Sequence, residues 1–350
     1  MFFGSKNQLV GLDIGSRAIK VAEAQETKKG WVLKKFGLID IDPGLIEEGV
    51  IKDPQAVAGN IRALFKQTNI RKNHVAISIG GYSVIVKNIP IQNMPEEQLH
   101  ESINFEAEQY IPFDINDVNL DFQILGVDEQ NPNQMNVMLV AAKKDMINDY
   151  INLIDLAGLS LGIIDIDAFA LQNVFDLNYD DSEGNITLID IGASKTSVNI
   201  IKNKASVFMR DVSLGCNQVN NRIMETINCS PAEAEEIKLG NKSSKIEPEV
   251  LNNICRSVFS DWTDEIRRAM DFFYSINPDD EIKKIFLSGG GANMAEFRDL
   301  LAAQSGTEVL PINPFQKFTV DDSMDKDYLK QMGPQAAIAM GLSIRKVDDK

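Results

Sequence analysis

The chain has 350 residues, of which 44% are hydrophobic and 25% are charged, and its formal net charge at pH 7 is −16. This length and composition predict a folded chain with two domains, or one large domain with insertions. The negative charge would repel phosphate backbones and anionic bilayers, so we expect no nucleic acid and no membrane surface as partners.

Cysteine and histidine are scarce, with three and two copies. None of them has the short spacing that is typical of zinc sites or of a disulfide framework. The sequence contains no run of about 20 apolar residues that could span a bilayer, and its first eight residues lack an apolar signal core. We therefore expect a cytoplasmic protein without direct membrane insertion.

One pattern occurs twice and divides the sequence almost into halves. Leu9 to Ile14 is typical of a buried strand, which runs into the turn Gly15-Ser16-Arg17 and a second strand from Ala18. The second half repeats this order in the segments Ile186 to Ile191, Gly192-Ala193-Ser194 and Thr196 to Ile201. Two copies of one strand-turn-strand unit predict a duplicated mixed sheet.

A separate β-α-β-β-α group is predicted between the two copies, where it would form an inserted subdomain. Its segments are Val84 to Ile91, Pro95 to Glu108, Val118 to Gly126, Met135 to Ala142 and Lys143 to Ala157.

The rest of the second half is mostly helical by pattern. Pro231 to Asp271 is predicted as helix, and the strand Lys284 to Ser288 ends in three glycines before another helix from about Ala292. Asp321 to Lys330 is polar and predicted to be a surface loop. The small residues in the last helix, Pro334 to Arg345, would allow close packing at a hinge.

A strand that ends in Asp-x-Gly before a tight turn can bind phosphate. Its backbone N–H groups can surround phosphate oxygens, and its carboxylate can hold a hydrated Mg²⁺. One such copy is also what an ordinary turn looks like. Two copies favour a nucleotide between facing turns, with Asp13 and Asp190 on opposite sides of one metal ion.

Two further segments suit an adenosine. The glycines 289–291 leave bare backbone against which a base or ribose can lie, although a simple strand-to-helix turn has the same composition. Glu235 and Lys238 lie three positions apart on a predicted helix and could bind a ribose, but such pairs are also common as solvated ion pairs.

Together these residues resemble the superfamily of actin, sugar kinases and heat-shock chaperone ATPases. Within it, nearly the whole chain is similar to the PilM family of type IV pilus assembly proteins. The matching segments are Val10 to Ser16 with Lys20, Glu106 to Phe113, and Asp190 to Ala193 with Thr196. The resemblance implies an α/β actin-like ATPase fold, with two lobes of duplicated mixed sheet plus helices, an inserted 1C-type subdomain, and ATP with Mg²⁺ in the central cleft.

The resemblance also implies roles and boundaries. Asp13 and Asp190 would hold Mg²⁺ through water. The implied nucleotide-binding residues are Asp13, Gly15, Ser16, Lys20, Asp190, Gly192, Ala193, Thr196, Gly215, Glu235, Lys238, Gly289, Gly290 and Gly291. The implied subdomains are 1A (1–80, 160–184 and 332–350), 1C (81–159), 2A (185–225 and 285–331) and 2B (226–284).

The partner that the resemblance implies is the N-terminal cytoplasmic peptide of a PilN-like inner-membrane protein, bound in a nucleotide-linked way. Tyr110, Ile111, Pro112 and Phe113 form the most family-specific segment and are the candidate partner-binding residues. They also fit a helix stopped by Pro112, with the aromatic rings in the core. Other pilus assembly components and a second copy of the chain are further expected partners, and the PilN-like protein would recruit the chain to the inner face of the inner membrane.

Catalysis has two weak candidates. Asp165 and Asp167 are the acids near the segment that connects the lobes, where actin-like ATPases place the residue that orients the attacking water. We expect both instead to cap a helix that begins at about Ala168, because Asp is favoured there. Slow or absent ATP hydrolysis is the resulting expectation.

Three alternatives belong to the same superfamily. A small-molecule kinase would need a second-substrate pocket with a catalytic Asp, and no such motif is evident. An FtsA-like division protein would end in a basic amphipathic membrane helix, whereas this sequence ends in the short polar segment Arg345 to Lys350. An MreB-like filament former is disfavoured because the inserted group resembles 1C and not the 1B subdomain of actin.

Overall fold

The fold is taken from a computed structural model that describes residues 8–128, 131–179, 184–241, 245–321, 324–347 and 349. Residues 1–7, for which the sequence predicts no signal core, lie outside the described residues, as do positions 348 and 350 of the polar end segment.

The first lobe is built on a six-stranded mixed sheet with the order β10-β6-β1-β2-β3-β16. Its strands are β1 (Val10–Ile14), β2 (Ala18–Thr27), β3 (Gly30–Asp40), β6 (His74–Ile79), β10 (Ser160–Ile166) and β16 (Phe318–Val320). The strands β1, β2 and β3 are successive antiparallel neighbours, while β6 and β10 continue the sheet in parallel from β1. A short hairpin, β4 (Ile46–Glu47) with β5 (Val50–Ile51), and helix α1 (Pro54–Thr68) lie between β3 and β6 in the chain.

The second lobe repeats this topology in a five-stranded sheet with the order β13-β12-β11-β14-β15. Its strands are β11 (Asn185–Ile191), β12 (Thr196–Lys202), β13 (Ala205–Val212), β14 (Ile282–Ser288) and β15 (Glu308–Pro311). Here too the first three strands, β11, β12 and β13, are successive antiparallel neighbours, and β14 and β15 continue the sheet in parallel from β11. The predicted duplicated mixed sheet is confirmed.

The inserted group is confirmed as a β-α-β-β-α unit with a three-stranded antiparallel sheet in the order β7-β9-β8. Its elements are β7 (Val84–Gln92), α2 (Glu96–Ala107), β8 (Val118–Val127), β9 (Gln134–Lys143) and α3 (Lys144–Leu156). It has its own apolar core on the α2 side of the sheet, with Leu99 and Val137 fully buried. Helix α3 on the other side packs with the core of the first lobe through Leu153 and Ile154.

The remaining helices cover the sheets and join the lobes. They are α4 (Asp167–Asn178), α5 (Asn217–Ile227), α6 (Pro231–Lys238), α7 (Pro248–Ile276), α8 (Ala295–Ser305) and α9 (Lys326–Ser343). Helices α4 and α9 share a core cluster with strands of both sheets. These two helices therefore connect the lobes behind the space that the hairpin turns face.

Helix α6 begins where the local sequence dictates. Ser230 accepts a hydrogen bond from the N–H of Glu233, and the Glu233 carboxylate accepts one from the N–H of Ser230. This reciprocal pair satisfies two N–H groups that a helix start otherwise leaves open, and Pro231 suits the first helical position. The start of α6 thereby fixes the orientation of Glu235 and Lys238.

The predicted surface loop from Asp321 to Lys330 is wrong in its second part. Helix α9 already begins at Lys326, because Asp325 caps it by accepting hydrogen bonds from the N–H groups of Asp327 and Tyr328. Leu329 is buried against the lobe-joining core. Residues 322–323 of this segment lie outside the described residues.

One predicted subdomain boundary is also wrong. The segment 285–331 was assigned to the second lobe, but β16 pairs in parallel with β3 of the first sheet. Phe318 packs against Trp31, with 6.0 Å between their ring centroids. The chain therefore returns to the first lobe before residue 332, through a strand that is too short for its pairing to be read from sequence.

The contact between α4 and α9 is unusually close. A Cβ atom placed on Gly341 would lie 1.8 Å from the carbonyl oxygen of Ala170, so only glycine fits there without moving one helix. This confirms that small residues in the last helix permit close packing.

We predict that Gly341→Ala destabilises the protein by roughly 1–3 kcal/mol, because the added methyl forces α4 and α9 apart. The measurement is urea unfolding followed by circular dichroism. Gly59→Ala is the control, since Gly59 lies inside α1 and a Cβ there would meet only the end of the Arg62 side chain at 3.8 Å. That change should stabilise by about 0.5–1 kcal/mol. Equal unfolding midpoints for both variants would contradict the close packing.

Candidate functional site

Two equivalent hairpin turns face each other between the lobes. In the first, the N–H of Gly15 donates to the carbonyl of Ala18 over 3.2 Å, and in the second the N–H of Gly192 donates to the carbonyl of Lys195 over 2.9 Å. The hydroxyl oxygens of Ser16 and Ser194, at the tips of the turns, are 3.2 Å apart and hydrogen-bonded. The turns therefore face each other, as the sequence repeat predicted, and their tips are in direct contact.

The two turns differ in how their aspartates are neutralised. In the first hairpin Lys20 stands across from Asp13, and its ammonium lies 3.0 Å from the carboxylate. In the second hairpin Ser197 occupies the place across from Asp190, so no lysine stands there. The cation of the second turn is Lys195, which instead lies 2.8 Å from Asp167 at the start of α4.

The ionisation of these groups follows from burial and from these neighbours. Burial, reinforced by the negative charge of Asp13, raises the pKa of Asp190 to about 6. Burial also disfavours the charged form of Lys195, but Asp167 and Asp211 outweigh it and raise the pKa of the lysine. Burial works against Asp167 in turn, yet Lys195 lowers the pKa of that carboxyl. The Lys195–Asp167 pair is therefore ionised, while Asp190 titrates near neutral pH.

The glycine turn after β14 forms a third side of the space between the lobes, next to the two hairpin turns. The N–H of Gly289 and the hydroxyl of Ser288 both donate to the carbonyl of Pro334 in α9, over 2.9 and 3.0 Å. Gly289 has a φ of 80°, and a Cβ on it would lie 2.4 Å from the carbonyl oxygen of Ile191. This position therefore requires glycine on two grounds, conformation and space.

Helix α6 forms a fourth side of the space between the lobes. The Lys238 ammonium lies 2.8 Å from the Glu235 carboxylate, which also accepts a hydrogen bond of 2.6 Å from the Asn220 amide. Only 9% of the Lys238 side chain is exposed, so this is not a solvated surface pair. Arg17 of the first turn reaches to 4.0 Å from Glu235, which links α6 to the opposite lobe.

These four sides enclose a cleft of about 870 Å³. That volume lies within the range of small-molecule and cofactor sites. The predicted site residues that line it are Asp13, Gly15, Ser16, Lys20, Asp190, Gly192, Ala193, Glu235, Lys238, Gly289 and Gly290, and Asp167 lines it too. Most of the predicted set therefore converges on one space.

Three predicted nucleotide residues do not line the cleft. The hydroxyl of Thr196 is turned away and donates to the carbonyl of Leu214 over 2.9 Å. Gly215 packs against the backbone of Ala193, and Gly291 packs against the side chain of Ile191. These residues support the turns from behind, so the geometry does not favour their predicted direct contact with a nucleotide.

The expectation that Asp165 and Asp167 cap α4 is wrong. The residue at the cap position is Ile166, and no side chain caps the helix. Asp167 is instead held by Lys195 and by the hydroxyl of Ser78, which donates to it over 2.7 Å. Asp165 faces away from the cleft and lies 3.3 Å from Arg345. Of the two weak catalytic candidates, only Asp167 lines the cleft.

Sequence reasoning missed several residues of the cleft. The most important are Lys195, Ser78 and Asp211, all of which line it. Lys195 had a signal, because it follows Ser194 inside the predicted phosphate turn. Ser78 and Asp211 had none, since each ends an ordinary strand and enters the site only through the packing of separate elements.

The donor set suits Mg²⁺ bound through water. Asp13 and Asp190 offer the hard oxygen ligands that this ion prefers, and Mg²⁺ usually keeps several waters next to one or two carboxylates and substrate phosphates. Within the described part of the chain, no group of three or more His, Cys, Asp or Glu side chains has the geometry of a metal site.

The predicted partner segment closes one end of the inserted subdomain. Helix α2 ends at Ala107, before Pro112, and Ile111 is buried in the core of this subdomain with Tyr110 and Phe113 partly buried beside it. The Lys143 ammonium lies 4.4 Å from the centre of the Phe113 ring. The structural role of these rings is therefore confirmed, while their partner-binding role stays a prediction.

Solved structures with the same architecture support the fold. A chain of a PilM–PilN type IV pilus biogenesis complex is 28% identical, with a TM-score of 0.86 and coverage of 98% of this chain and 99% of that one. The ethanolamine utilization protein EutJ of Carboxydothermus hydrogenoformans is 13% identical, with a TM-score of 0.57 and coverage of 96% and 89%. MreB5 of Spiroplasma citri bound to AMPPNP is 13% identical, with a TM-score of 0.52 and coverage of 96% and 95%.

The duplicated sheets, the cleft between their hairpin turns and these likenesses define an α/β protein with the actin-like ATPase fold. The sequence pattern of one family within this class, type IV pilus assembly protein PilM, matches residues 11–347. The chain belongs to that family. Among its described helices, none is both long and apolar enough to cross a membrane.

We predict that Asp190→Asn stabilises the nucleotide-free protein at pH 7.5. Above its pKa of about 6, Asp190 carries a charge that burial disfavours, whereas in the unfolded chain it ionises with the ordinary value of 3.8. The expected gain is roughly 1–2 kcal/mol, less than the full shift implies because the carboxylate opens onto the water of the cleft. The gain should shrink as the pH falls from about 6 toward 3.8.

The measurement is denaturant unfolding at several pH values, with Asp121→Asn as the control. Asp121 is exposed on β8 and accepts a local hydrogen bond from the N–H of Phe122, which asparagine can also accept. A stabilisation by Asp190→Asn that does not depend on pH would show that the buried charge is not its cause.

Proposed function

We propose that this chain is an ATP-binding scaffold of the type IV pilus inner-membrane assembly complex, and that it binds the N-terminal cytoplasmic peptide of a PilN-like membrane protein in a nucleotide-linked way. The observation that carries the proposal is the direct approach of the two hairpin turns, with Asp13 and Asp190 on either side of the cleft. Each turn comes from a different lobe, so a ligand that contacts both stabilises one relative position of the lobes.

The phosphate end of the proposed site is formed by the turns. The N–H groups around Ser16 and Ala193 face phosphate oxygens, and the ammonium of Lys20 neutralises part of their charge. Asp13 and Asp190 orient the waters of a bound Mg²⁺, which supplies further neutralisation of the phosphates. Ionised Asp190 is needed for this role, which its pKa of about 6 permits at neutral pH.

The adenosine end lies between α6 and the glycine turn. Glu235 can accept hydrogen bonds from ribose hydroxyls, and Lys238 holds that carboxylate in place. The backbone at Gly289 and Gly290 leaves a surface without side chains for the flat base. MreB5 of Spiroplasma citri, which has the same fold, is bound to AMPPNP in its solved structure, and this supports a nucleotide as the ligand proposed for this chain.

The partner proposal rests on the similarity to the PilM chain of a PilM–PilN complex. The inserted subdomain has its own apolar core, and Tyr110 to Phe113 lie at one end of it. A peptide bound beside this segment would tie a cytoplasmic protein to the inner face of the inner membrane. Closure of the lobes around ATP would alter the contacts between the inserted subdomain and the lobes, which would link peptide binding to the nucleotide.

Slow or absent ATP hydrolysis is part of the proposal. The one acidic candidate in the cleft, Asp167, is occupied by Lys195 and by Ser78, which leaves it poorly placed to orient an attacking water. A scaffold does not require hydrolysis, because a difference in conformation between its ATP-bound and nucleotide-free states is enough to change how it binds a partner. Phosphate release measured at many turnovers per second by the purified protein would contradict this part.

We predict that isothermal titration with Mg-ATP shows micromolar binding, and that Asp13→Asn weakens it at least about tenfold, which corresponds to about 1.4 kcal/mol. The physical reason is the loss of one of the two carboxylates proposed to hold the metal ion. Asp121→Asn, on the surface of the inserted subdomain, should bind Mg-ATP like the wild type. Absence of Mg-ATP binding by the folded wild-type protein would refute the nucleotide proposal.

We predict that a peptide from the N-terminus of a PilN-like protein binds the wild type, and that Phe113→Ala weakens this binding several-fold while Mg-ATP affinity is kept. Phe105→Ala is the matched control, because Phe105 belongs to the same subdomain but is 68% exposed on α2, away from the core. Fluorescence anisotropy with and without Mg-ATP measures both the affinity and its link to nucleotide. Equal effects of the two substitutions would remove the segment 110–113 from the peptide site.

A further inference from the structure

Lys195 lines the cleft but does not pair with either aspartate of the two Asp-x-Gly turns. Its ammonium lies 2.8 Å from Asp167 and 3.5 Å from Asp211, and a quarter of its side chain is exposed, on the side that lines the cleft. It is the residue next to Ser194, whose hydroxyl meets Ser16 of the other lobe. A cation therefore stands directly beside the point where the two phosphate turns meet.

The two carboxylates around Lys195 each hold a further group. Asp167 accepts a hydrogen bond of 2.7 Å from the hydroxyl of Ser78, near the end of strand β6. Asp211, in the last part of β13, accepts one of 2.7 Å from the N–H of Gly81. Gly81 stands between the end of β6 and the first strand of the inserted subdomain. The network thus joins both lobes and the base of the inserted subdomain.

The turn at the base of the inserted subdomain is fitted closely to this network. A Cβ atom on Gly80 would lie 2.3 Å from the Lys195 ammonium and 2.5 Å from the Asp167 carboxylate. Beyond Gly81, the hydroxyl of Tyr82 is hydrogen-bonded to that of Ser213 over 2.7 Å. The Lys195 side chain is therefore packed closely against the residues that lead into the inserted subdomain.

The two ion pairs of Lys195 are unequal. The contact with Asp167 has the length of a charge-assisted hydrogen bond, while the contact with Asp211 at 3.5 Å is only an ion pair. A new anion near the turn would compete first with the weaker contact. The terminal phosphate of ATP is such an anion, and ADP lacks it.

We propose that Lys195 senses the terminal phosphate of bound ATP and passes that state through Asp211 to Gly81 at the base of the inserted subdomain. This inference rests on the proposed function, because it assigns a regulatory role within the same cleft. When the ammonium moves toward the phosphate, Asp211 loses its positive neighbour and can turn toward water, so that the N–H of Gly81 loses its acceptor. The inserted subdomain then becomes less tightly held to the second lobe in the ATP state.

Two measurements test the sensor. Lys195→Met removes the charge and keeps a long flexible side chain, and it should reduce the ratio of Mg-ATP affinity to Mg-ADP affinity at least about tenfold. Amide hydrogen exchange at residues 81–84 should be faster with Mg-ATP than with Mg-ADP in the wild type, and should not depend on the nucleotide in Lys195→Met. Lys34→Met, exposed on β3, is the matched control and should behave like the wild type.

Asp211→Asn separates sensing from transmission. The asparagine oxygen can still accept from Gly81 but no longer pairs with Lys195, so most of the preference for ATP should remain while exchange at residues 81–84 becomes independent of the nucleotide. Two results would overturn the inference while leaving the proposed function standing. One is an unchanged ratio of Mg-ATP to Mg-ADP affinity in Lys195→Met, and the other is hydrogen exchange at residues 81–84 that still depends on the nucleotide in both variants. A wild type that binds neither nucleotide would overturn both.

Discussion

The structure depends on the balance of charge in the cleft between the lobes. Four carboxylates and two ammonium groups meet there, carried by Asp13, Asp167, Asp190, Asp211, Lys20 and Lys195. Groups of like charge at such short range are tolerated only when opposite charges lie between them, because water has limited access to the site. The two hairpins, the start of α4 and the approach of the lobes all serve to place these groups within contact of one another.

Five strands of each sheet share the same order and directions, but the two hairpins differ in chemistry. Both sheets place an aspartate at the end of their first strand, yet the lysine across from Asp13 is replaced by Ser197 across from Asp190. The second cation comes from the turn itself and pairs with a third carboxylate. Burial raises the pKa of both aspartates, but Asp13 has a lysine within its own hairpin, whereas Asp190 has none across from it and is left to a metal ion in the proposed complex.

The inserted subdomain is coupled to the second lobe as well as to the first. Besides Gly81 and Tyr82, the amide of Asn88 in β7 donates to the carbonyl of Ser206 in β13 over 3.1 Å. These contacts are polar and individually weak, in contrast to the buried apolar packing between α3 and the first lobe. The subdomain therefore has one firm attachment and one that modest changes in the cleft can alter, which suits an element that reports the state of the cleft to a partner.

The sequence by itself determined the two-copy architecture, the β-α-β-β-α insertion and eleven of the residues that line the cleft. These features are local, because the alternation of apolar residues defines a strand and Asp-x-Gly defines the turn that follows it. Only the tertiary structure decided that Asp167 pairs with Lys195 and does not cap α4, that Thr196 turns away from the cleft, and that β16 joins the first sheet. Each of these depends on the contact of segments far apart in the chain, and the energy of such a contact comes from burial and charge pairing, which no local pattern records.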